Sequence, residues 1–299
     1  MLARLQRTLV LAIVALALLW AGAAFAFGAL YWGVLALALA PVLYAGALGL
    51  EFGLMHHVNR GDPAPPARAP QLLRAWWGEV LSAPVVFGWR QPFRSHRWPE
   101  RLDAAGVAGR RGVLLVHGFV CNRCLWGRWL ARLDAAGVPC LAVNLEPVFG
   151  GIDEYLPVLE AAVQRLEHAT GTAPVVVAHS MGGLALRRWW AEPGNVHRLH
   201  HAITLGTPHH GTWLARFALS PNGRQMQLGS TWLRNLAARE PRDRPAQMTC
   251  YYSHCDNIVF PASTATLAGA DNRHLAAVAH VHLVDRPEPY AELLRRLAD

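Results

Sequence analysis

A serine in the second half of the chain stands where an apolar run gives way to a glycine-rich one. Residues 174–179 read PVVVAH, which is typical of a buried strand, and a helical pattern runs from Gly182 to Ala191. Ser180 therefore lies at a tight strand-to-helix turn, where the small residues Ala178 and Gly182 leave its hydroxyl free to project. The helix N-terminus favours negative charge developing beside it. The spacing predicts a nucleophilic serine, and a helix-capping serine is the simpler alternative.

A serine hydroxyl needs a base to become a nucleophile, and the base needs a carboxylate to orient it. In a strand–turn–helix setting, the acid and then a histidine follow the serine along the chain. Asp256 comes directly after the predicted strand 248–253 and is the preferred acid. Asp243, in an arginine- and proline-rich loop, and Asp271, after a helix-like stretch, are the alternatives.

The candidate bases lie near the C-terminus. His274, His280 and His282 all precede a final predicted helix at 288–298. The segment AHVHLV (279–284) comes just before that helix, in a loop that can fold back over a sheet. The residue types alone leave the choice between His280 and His282 open.

Four segments of the sequence resemble motifs of the α/β-hydrolases of the bacterial lipase and esterase group. The similarity covers about residues 112–298. The family's elbow usually has glycine where Ala178 stands, and glycine often precedes its histidine where this chain has Ala279. The segments are Val116-His117-Gly118-Phe119, Ala178-His179-Ser180-Met181-Gly182-Gly183, Thr204-Leu205-Gly206-Thr207-Pro208-His209 and Asp256-Asn257-Ile258-Val259.

This resemblance implies a catalytic triad of Ser180, His280 and Asp256. The family's histidine commonly stands in a His-x-x-Leu pattern, which His280 and Leu283 match. His282 does not match it and is kept as the alternative base. The resemblance also implies the reaction: hydrolysis of carboxylic esters through an acyl-serine intermediate, with a small-molecule ester or lipid as substrate.

The resemblance further implies an oxyanion hole made by the backbone N–H groups of Phe119 and Met181. Gly118 fits this role, because it lets the backbone approach a substrate closely. No metal or organic cofactor is expected. The alternatives are an acyltransferase or thioesterase with the same triad, and a non-catalytic binding module on the same fold.

Strands and helices alternate along the chain from residue 112 onward. The strands are nearly pure apolar runs, so they are expected to be buried on both sides. The pattern predicts an α/β fold, namely an α/β-hydrolase fold with a mostly parallel sheet and helices on both faces. The predicted strands are 113–116, 140–145, 174–179, 201–205 and 248–253; the predicted helices are 125–136, 153–169, 182–191 and 288–298; upstream, a helix near 71–81 and an edge strand near 92–98 are expected.

The chain divides into three predicted parts. Residues 1–60 form a helical hairpin, residues 61–111 a linker and the start of the hydrolase domain, and residues 112–299 the catalytic domain. Within the last part, residues 212–246 combine apolar residues and arginines at the place where the resemblance puts a lid. An ordinary helical excursion packed on the core is the alternative for this insertion.

The N-terminal region predicts membrane contact through residues 8–54. The 43 residues from Thr8 to Leu50 carry no charge, about twice what one membrane-spanning helix needs, so a hairpin with a turn between Gly28 and Gly33 fits better. Arginines before and after the hairpin favour a bacterial inner membrane with a cytoplasmic catalytic domain, although a periplasmic one stays open. A cleaved signal peptide and a buried soluble hairpin are the alternatives. The flanking arginines are Arg4, Arg7, Arg60, Arg68 and Arg74.

Composition excludes several other classes. All 28 basic residues are arginine, so no chemistry that depends on lysine is possible. The formal charge of +8 is spread along the chain, which disfavours a nucleic-acid partner. Of the five cysteines, Cys121 and Cys124 form a C-x-x-C pair, for which an apolar filler role is preferred over a redox or zinc site. The sequence leaves the oligomeric state open.

Overall fold

The computed structural model describes residues 1–104 and 106–299, without the side chain of Leu30. Its centre is a six-stranded sheet in the order β2-β1-β3-β4-β5-β6, and every neighbouring pair is parallel. The parallel α/β architecture predicted from the sequence is therefore confirmed. The strands are β1 (Val113–Val116), β2 (Cys140–Ala142), β3 (Val175–His179), β4 (His201–Leu205), β5 (Met248–Tyr252) and β6 (Asp271–His274).

Helices cover both faces of the sheet, as the continuous apolar strands require. Side chains of one strand alternate between the faces: Leu114 and Val116 join one core cluster, whereas Val113 and Leu115 join the other. The first cluster includes residues of α6, α7 and α9, and the second includes residues of α5 and α10. The helices of this region are α5 (Gly127–Ala135), α6 (Leu156–Thr170), α7 (Met181–Trp190), α8 (Pro221–Gln225), α9 (Thr231–Arg239) and α10 (Pro287–Ala298).

The structure differs from the sequence prediction in three local features. The edge strand expected near 92–98 does not form, because Pro92 sits in the first turn of the short helix α4 (Gln91–Phe93), where a missing N–H costs nothing. The strand β6 was not anticipated, because its residues Asp271–His274 are polar and partly exposed at the sheet edge. The predicted strand from Cys140 also ends early, at Ala142.

The N-terminal hairpin consists of α1 (Leu2–Ala26) and α2 (Leu30–Val58). Both helices are long and apolar enough to span a membrane, and only 6% of the most apolar window of each is buried. That exposure contradicts the buried soluble hairpin. The turn falls at Gly28, whose φ is +67°, whereas Gly33 lies inside α2, where an added Cβ would come 2.5 Å from the Cβ of Ala24.

A third helix, α3 (Ala69–Ala83), follows the hairpin and continues into a π-helical segment, Pro84–Arg90. It confirms the helix predicted near 71–81. The indole N–H of Trp76 donates to the carbonyl of Ala45, so α3 lies alongside α2. The hairpin and α3 both contact the loops that follow the C-terminal ends of the strands, which all meet at one edge of the sheet.

Candidate active site

Ser180 lies at the sharp turn between β3 and α7. Its backbone has φ +54° and ψ −131°, a conformation that residues with side chains rarely adopt and that costs about 1–3 kcal/mol. Small neighbours make the turn possible. A Cβ on Gly182 would lie 2.4 Å from the carbonyl oxygen of His117, and one on Gly118 would lie 2.7 Å from the Cβ of Ser180. The local geometry is that of a serine raised on a tight bend, with a helix N-terminus beneath it.

Asp256 and His280 form a buried hydrogen-bonded pair. The Nδ1–H of His280 donates to Oδ2 of Asp256 over 2.8 Å. The other oxygen of Asp256 accepts from the backbone N–H groups of Ile258 and Val259, at 2.9 and 2.8 Å. Because an ionised carboxylate can only accept, the ring proton is on Nδ1 and Nε2 of His280 is left as an acceptor.

Contacts through β4 bring Ser180 next to this pair. The N–H of Ser180 donates to the carbonyl of Leu205 over 2.9 Å. The following residue is Gly206, where an added Cβ would lie 2.8 Å from Oδ2 of Asp256 and 3.1 Å from Nδ1 of His280. Among the described residues the Ser180 hydroxyl has no hydrogen-bond partner within 3.5 Å, so a bond to His280 is not formed in this conformation. Such bonds are often long without substrate.

The neighbouring residue His179 also packs on His280. The two ring centroids are 4.5 Å apart, and Nε2 of His179 lies 3.1 Å from the carbonyl oxygen of His280. Burial, the largest cause, and the neighbouring ring of His280 keep the pKa of His179 well below its ordinary value. His179 is therefore neutral, and it contacts the backbone of His280 without placing a positive charge beside the His280 ring.

The electrostatic surroundings of His280 favour its charged form. Burial opposes the charge, but the carboxylate of Asp256, through its charge and its hydrogen bond, and the charge of Glu79 raise the pKa of His280 above its ordinary value. A ring with this environment can take up a proton and hold it while it remains next to two carboxyl groups.

The predicted oxyanion donors are positioned by two different elements. Met181 is the first residue of α7, and Phe119 follows β1 in the loop against Ser180. In the described part of the chain, neither backbone N–H donates to a backbone carbonyl outside the helices and strands. The next residue, Val120, has φ +55°, and its carbonyl accepts from the side chain of Gln6 at 3.3 Å. Both amides are therefore left for another acceptor.

The alternative residues of the sequence prediction lie elsewhere. His282 packs against Gly78, and among the described residues its buried Nδ1 has no hydrogen-bond partner. Burial, followed by the charge of Arg286, lowers the pKa of His282. Asp271 pairs with Arg273 on the exposed strand β6.

The two remaining alternatives, Asp243 and His274, also make their contacts away from the serine turn. Asp243 is exposed and precedes a short 3-10 turn. The Nε2 of His274 accepts from the N–H of His254 at 3.4 Å, and the two rings meet edge to face. Neither residue shares a hydrogen bond with Ser180 or Asp256 among the described residues.

Glu79 is a site residue that the sequence reasoning missed. It lies on α3, is almost fully buried, and its two oxygens accept from the N–H groups of Val281 and His282, each at 3.3 Å. Burial, the largest cause, raises the pKa of Glu79 to about 7. A signal was present, since Glu79 is the only acidic residue between Asp62 and Glu100. A lone acid in an amphipathic helix is expected to have a specific partner.

The hairpin supplies two more polar residues that the sequence reasoning missed. Glu51, near the end of α2, accepts from Nδ2 of Asn257 at 3.0 Å, and Oδ1 of Asn257 accepts from the N–H of His280 at 3.3 Å. Gln6, near the start of α1, is buried against the loop after β1. For Glu51 the signal is a lone acid in an apolar segment, whereas Gln6 stands among Arg4, Arg7 and Thr8 and gives no such signal.

The C-x-x-C cysteines are buried thiols. Burial raises the pKa of Cys121 to about 12 and that of Cys124 to about 11, and the Cys124 thiol lies 2.7 Å from the carbonyl oxygen of Arg94. Thiols with raised pKa values are poor nucleophiles and poor metal ligands. Within the described ranges, no group of three or more histidine, cysteine or acidic side chains could hold a metal ion.

The insertion at 212–246 carries short helices and contacts the Asp256 loop. Thr212 donates its hydroxyl to the carbonyl of Ile258 over 2.6 Å, and the ring of Trp213 stacks on Phe260. Phe217 and Leu219 are largely exposed. The insertion therefore carries exposed apolar side chains next to a segment that packs on the Asp256 loop.

A second apolar group lies on the loop after β2. The exposed ring of Phe149 meets Phe119 edge to face, at 5.8 Å between centroids. The side-chain amide of Asn222 donates to the carbonyl of Val148, the residue before Phe149, over 2.8 Å. This hydrogen bond connects the loop to the insertion. Phe119, Phe149, Phe217 and Leu219 are named here the apolar rim.

Comparison with known proteins gives structural matches only. No protein-family model matches the chain, and no curated protein does. A Bacillus licheniformis lipase in its mature form is similar, with 16% identity and a TM-score of 0.55 over 63% of this chain and 92% of that one. Lipase B of Aspergillus fumigatus follows, with 19% identity and a TM-score of 0.53 over 64% of this chain and 53% of that one.

The structural similarity to these two lipases agrees with the parallel sheet of this chain. Identities this low establish architecture and leave chemistry to be argued from the residues. The six parallel strands, the helices on both faces and the serine turn after β3 are shared features of one known architecture. The protein has the α/β-hydrolase fold.

Proposed function

We propose that the protein is a membrane-anchored serine hydrolase that cleaves carboxylic esters, with Ser180 as nucleophile, His280 as base and Asp256 as the acid that orients it. The observation that carries the proposal is the buried Asp256–His280 pair beside the strained serine turn. Contacts with neighbouring segments hold the strained turn and the buried pair in place. A serine that only capped a helix would need neither the strained turn nor the pair.

In the acylation step, Nε2 of His280 takes the proton of the Ser180 hydroxyl as the oxygen attacks the ester carbonyl. The imidazolium that forms is stabilised by Asp256, which stays ionised. The carbonyl oxygen becomes negative in the tetrahedral intermediate, and the N–H groups of Phe119 and Met181 are available to donate to it. Each such donor is worth about 3–4 kcal/mol in the transition state.

In the deacylation step, His280 has given its proton to the leaving alcohol and takes another from an attacking water. The same oxyanion donors serve the second tetrahedral intermediate, which breaks down as His280 returns this proton to the Ser180 oxygen and the free acid leaves. No step needs a group beyond the side chains named and one water molecule.

Lipid esters are the favoured substrate class. The apolar rim includes Phe119, which follows the glycine packed against Ser180, and exposed side chains of this kind suit acyl chains. The hairpin contacts the same edge of the sheet as the site. The charge bias of the flanking arginines favours a cytoplasmic catalytic domain. The preference is checked by comparing micellar long-chain esters with short soluble esters, because equal or reversed rates would indicate a plain carboxylesterase.

The proposal is tested with a fluorophosphonate probe, which reacts with activated serines. The wild-type chain is expected to be labelled, and Ser180→Ala is expected to lose the label. Ser230→Ala is the matched control, because Ser230 caps α9 by accepting from the N–H of Leu233 and should not affect labelling. An unlabelled wild type would indicate a non-catalytic binding module, and product analysis with water, alcohol and thiol acceptors separates hydrolase from acyltransferase and thioesterase.

A further inference from the structure

The helix α3 carries an exposed apolar row. Leu73, Trp77 and Leu81 are 63%, 54% and 56% exposed. Their spacing of four residues places them on one face of the helix. Val85 and Trp89, both exposed, extend the row into the π-helical segment that follows. We name these five residues the α3 row.

The opposite face of α3 is fully occupied. Ala75 and Glu79 are buried against the Asp256 and His280 loops, and Trp76 binds α2. The helix is therefore fixed in orientation, with the α3 row directed away from the catalytic domain. A large exposed apolar row in a folded protein marks a surface with a partner.

Arginines without acidic partners accompany the α3 row. Among the described residues, Arg74, Arg94 and Arg97 have no carboxylate within 4.0 Å. The guanidinium of Arg94 lies over the ring of Trp89, and that of Arg97 lies over Trp98. These four residues of the 89–98 segment line one groove. Positive charge next to exposed tryptophan is the combination that binds the headgroup region of an anionic membrane.

Continuity with the hairpin favours a lipid surface over a protein partner. Trp76 ties α3 to α2, so a bilayer that takes up the hairpin comes next to the α3 row. Amphipathic helices with apolar residues on one face and arginines at its border lie about 5–10 Å into the interface. A second copy of this chain would have to reach a surface beside two membrane-embedded helices.

We propose that the α3 row lies in the headgroup region of an anionic bilayer, as a third membrane-contacting element beside the two helices of the hairpin. The proposal rests on the membrane insertion included in the proposed function, but it does not depend on catalysis. The helix then has lipid on one face and the turn after His280 on the other.

The test uses the full chain in nanodiscs of phosphatidylcholine with brominated acyl chains, which quench nearby tryptophan fluorescence. Emission of one tryptophan is obtained as the difference between wild type and a single Trp→Phe variant. Trp77→Phe is the informative variant. Trp20→Phe reports on the last third of α1, and Trp232→Phe, on α9, reports on a half-buried tryptophan outside the N-terminal helices.

We expect the Trp20 and Trp77 components to be quenched and the Trp232 component to be unchanged. Quenching of Trp20 without quenching of Trp77 would overturn the inference and leave the hairpin intact. An unquenched Trp20 would overturn both, because the hairpin would not be inserted. Loss of probe labelling at Ser180 is a separate result, since quenching requires no activity.

The anionic part of the proposal is tested by adding brominated phosphatidylglycerol. The Trp89 component, obtained with Trp89→Phe, should be quenched more by this lipid than by brominated phosphatidylcholine. Arg94→Gln with Arg97→Gln should remove the difference. Equal quenching by both lipids in the wild type would refute a charge-selective surface. Cross-linking of two chains through the α3 row with no quenching of Trp77 would identify a second copy as its partner instead.

Discussion

Two regions of the molecule use their polar residues in opposite ways. One, named here the catalytic half, runs from β1 to α10 and carries the proposed triad. The other consists of the N-terminal helices α1 to α4. In the catalytic half, polar groups are common, and the three residues of the proposed triad are buried at the sheet edge. In the N-terminal helices, polar groups are few, and Gln6, Glu51 and Glu79 all contact the loops of that same edge. The comparison shows that the hairpin and α3 are structurally part of the candidate site.

The physical reason is the cost of burying a polar group without a partner. An unpaired amide or carboxyl in an apolar environment costs about 1–3 kcal/mol or more. Some polar residues of these helices are satisfied within them, as Arg7 is by the carbonyl of Pro92, whereas Gln6, Glu51 and Glu79 bind loops of the catalytic half. Those loops in turn obtain fixed partners for backbone groups that follow β1, β5 and β6, namely a donor in Gln6 and acceptors in Asn59 and Glu79.

The largest expected effect tests the catalytic half alone. His280→Ala should lower kcat by about 10⁴-fold or more, because it removes the base. His282→Ala should change kcat by less than about tenfold, since only a residue outside the proposed triad is lost. Steady-state kinetics on a soluble ester measures both variants. A larger loss for His282→Ala than for His280→Ala would reverse the assignment of the base.

A second prediction concerns the close approach of the β1 loop to the serine turn. Gly118→Ala would place a Cβ 2.7 Å from the Cβ of Ser180 and 3.1 Å from the carbonyl oxygen of His179. The loop must shift and carry the N–H of Phe119 with it, so kcat should fall about 10²–10³-fold. Gly194→Ala is the control, since an added methyl there meets nothing within 4 Å. Equal activities of the two variants would contradict the proposed oxyanion hole.

The third prediction tests whether the hairpin contributes to the site. Glu51→Ala removes the acceptor of the Asn257 amide, which in turn holds the N–H of His280. We expect kcat to fall about tenfold with little change in KM, because the base loses its position and the substrate surface stays. Glu51→Gln keeps an acceptor oxygen and should restore most of kcat. Wild-type kcat in Glu51→Ala would show that the hairpin only anchors.

The smallest expected effect is a shift in pH dependence. His280 must be neutral to act as a base, so activity rises with pH through its pKa, which Asp256 and Glu79 hold above the ordinary value against the effect of burial. Glu79, whose pKa burial raises to about 7, carries part of a negative charge in this pH range, so Glu79→Gln lowers the pKa of His280 and moves the acid limb of kcat/KM to lower pH. A limb that moves to higher pH, or does not move, would contradict a role of Glu79 at the base.

Much of the catalytic half could be predicted from the sequence, because local patterns determine it. Strands β1 and β4 have the predicted bounds, and helix α7 begins within one residue of its predicted start. A serine turn requires small residues two positions before and two positions after the serine, and Ala178 and Gly182 meet this requirement in the sequence. The polar edge strand β6 follows no such local rule, because its hydrogen bonds to β5 alone define it.

The contribution of the N-terminal helices could not be predicted, because it depends on contacts between residues far apart in the chain. Glu51 meets Asn257 across 206 positions, and Glu79 meets Val281 across 202. A lone acidic residue indicates that it has a partner in the fold, but the sequence does not show which residue that partner is. The choice between His280 and His282 has the same character, since only the position of Asp256 separates two similar neighbours.

The docking of α2 has a practical consequence for anyone who wants a water-soluble version of this protein. Deleting the segment up to residue 62 would remove the side-chain acceptors of the Asn257 amide and of the Ala262 and Ser263 backbone N–H groups. Each lost bond would cost about 1 kcal/mol, and the apolar surface around Phe260 would face water. A soluble form should therefore keep the last turns of α2 and residues 59–62, and replace only the distal apolar residues of α2.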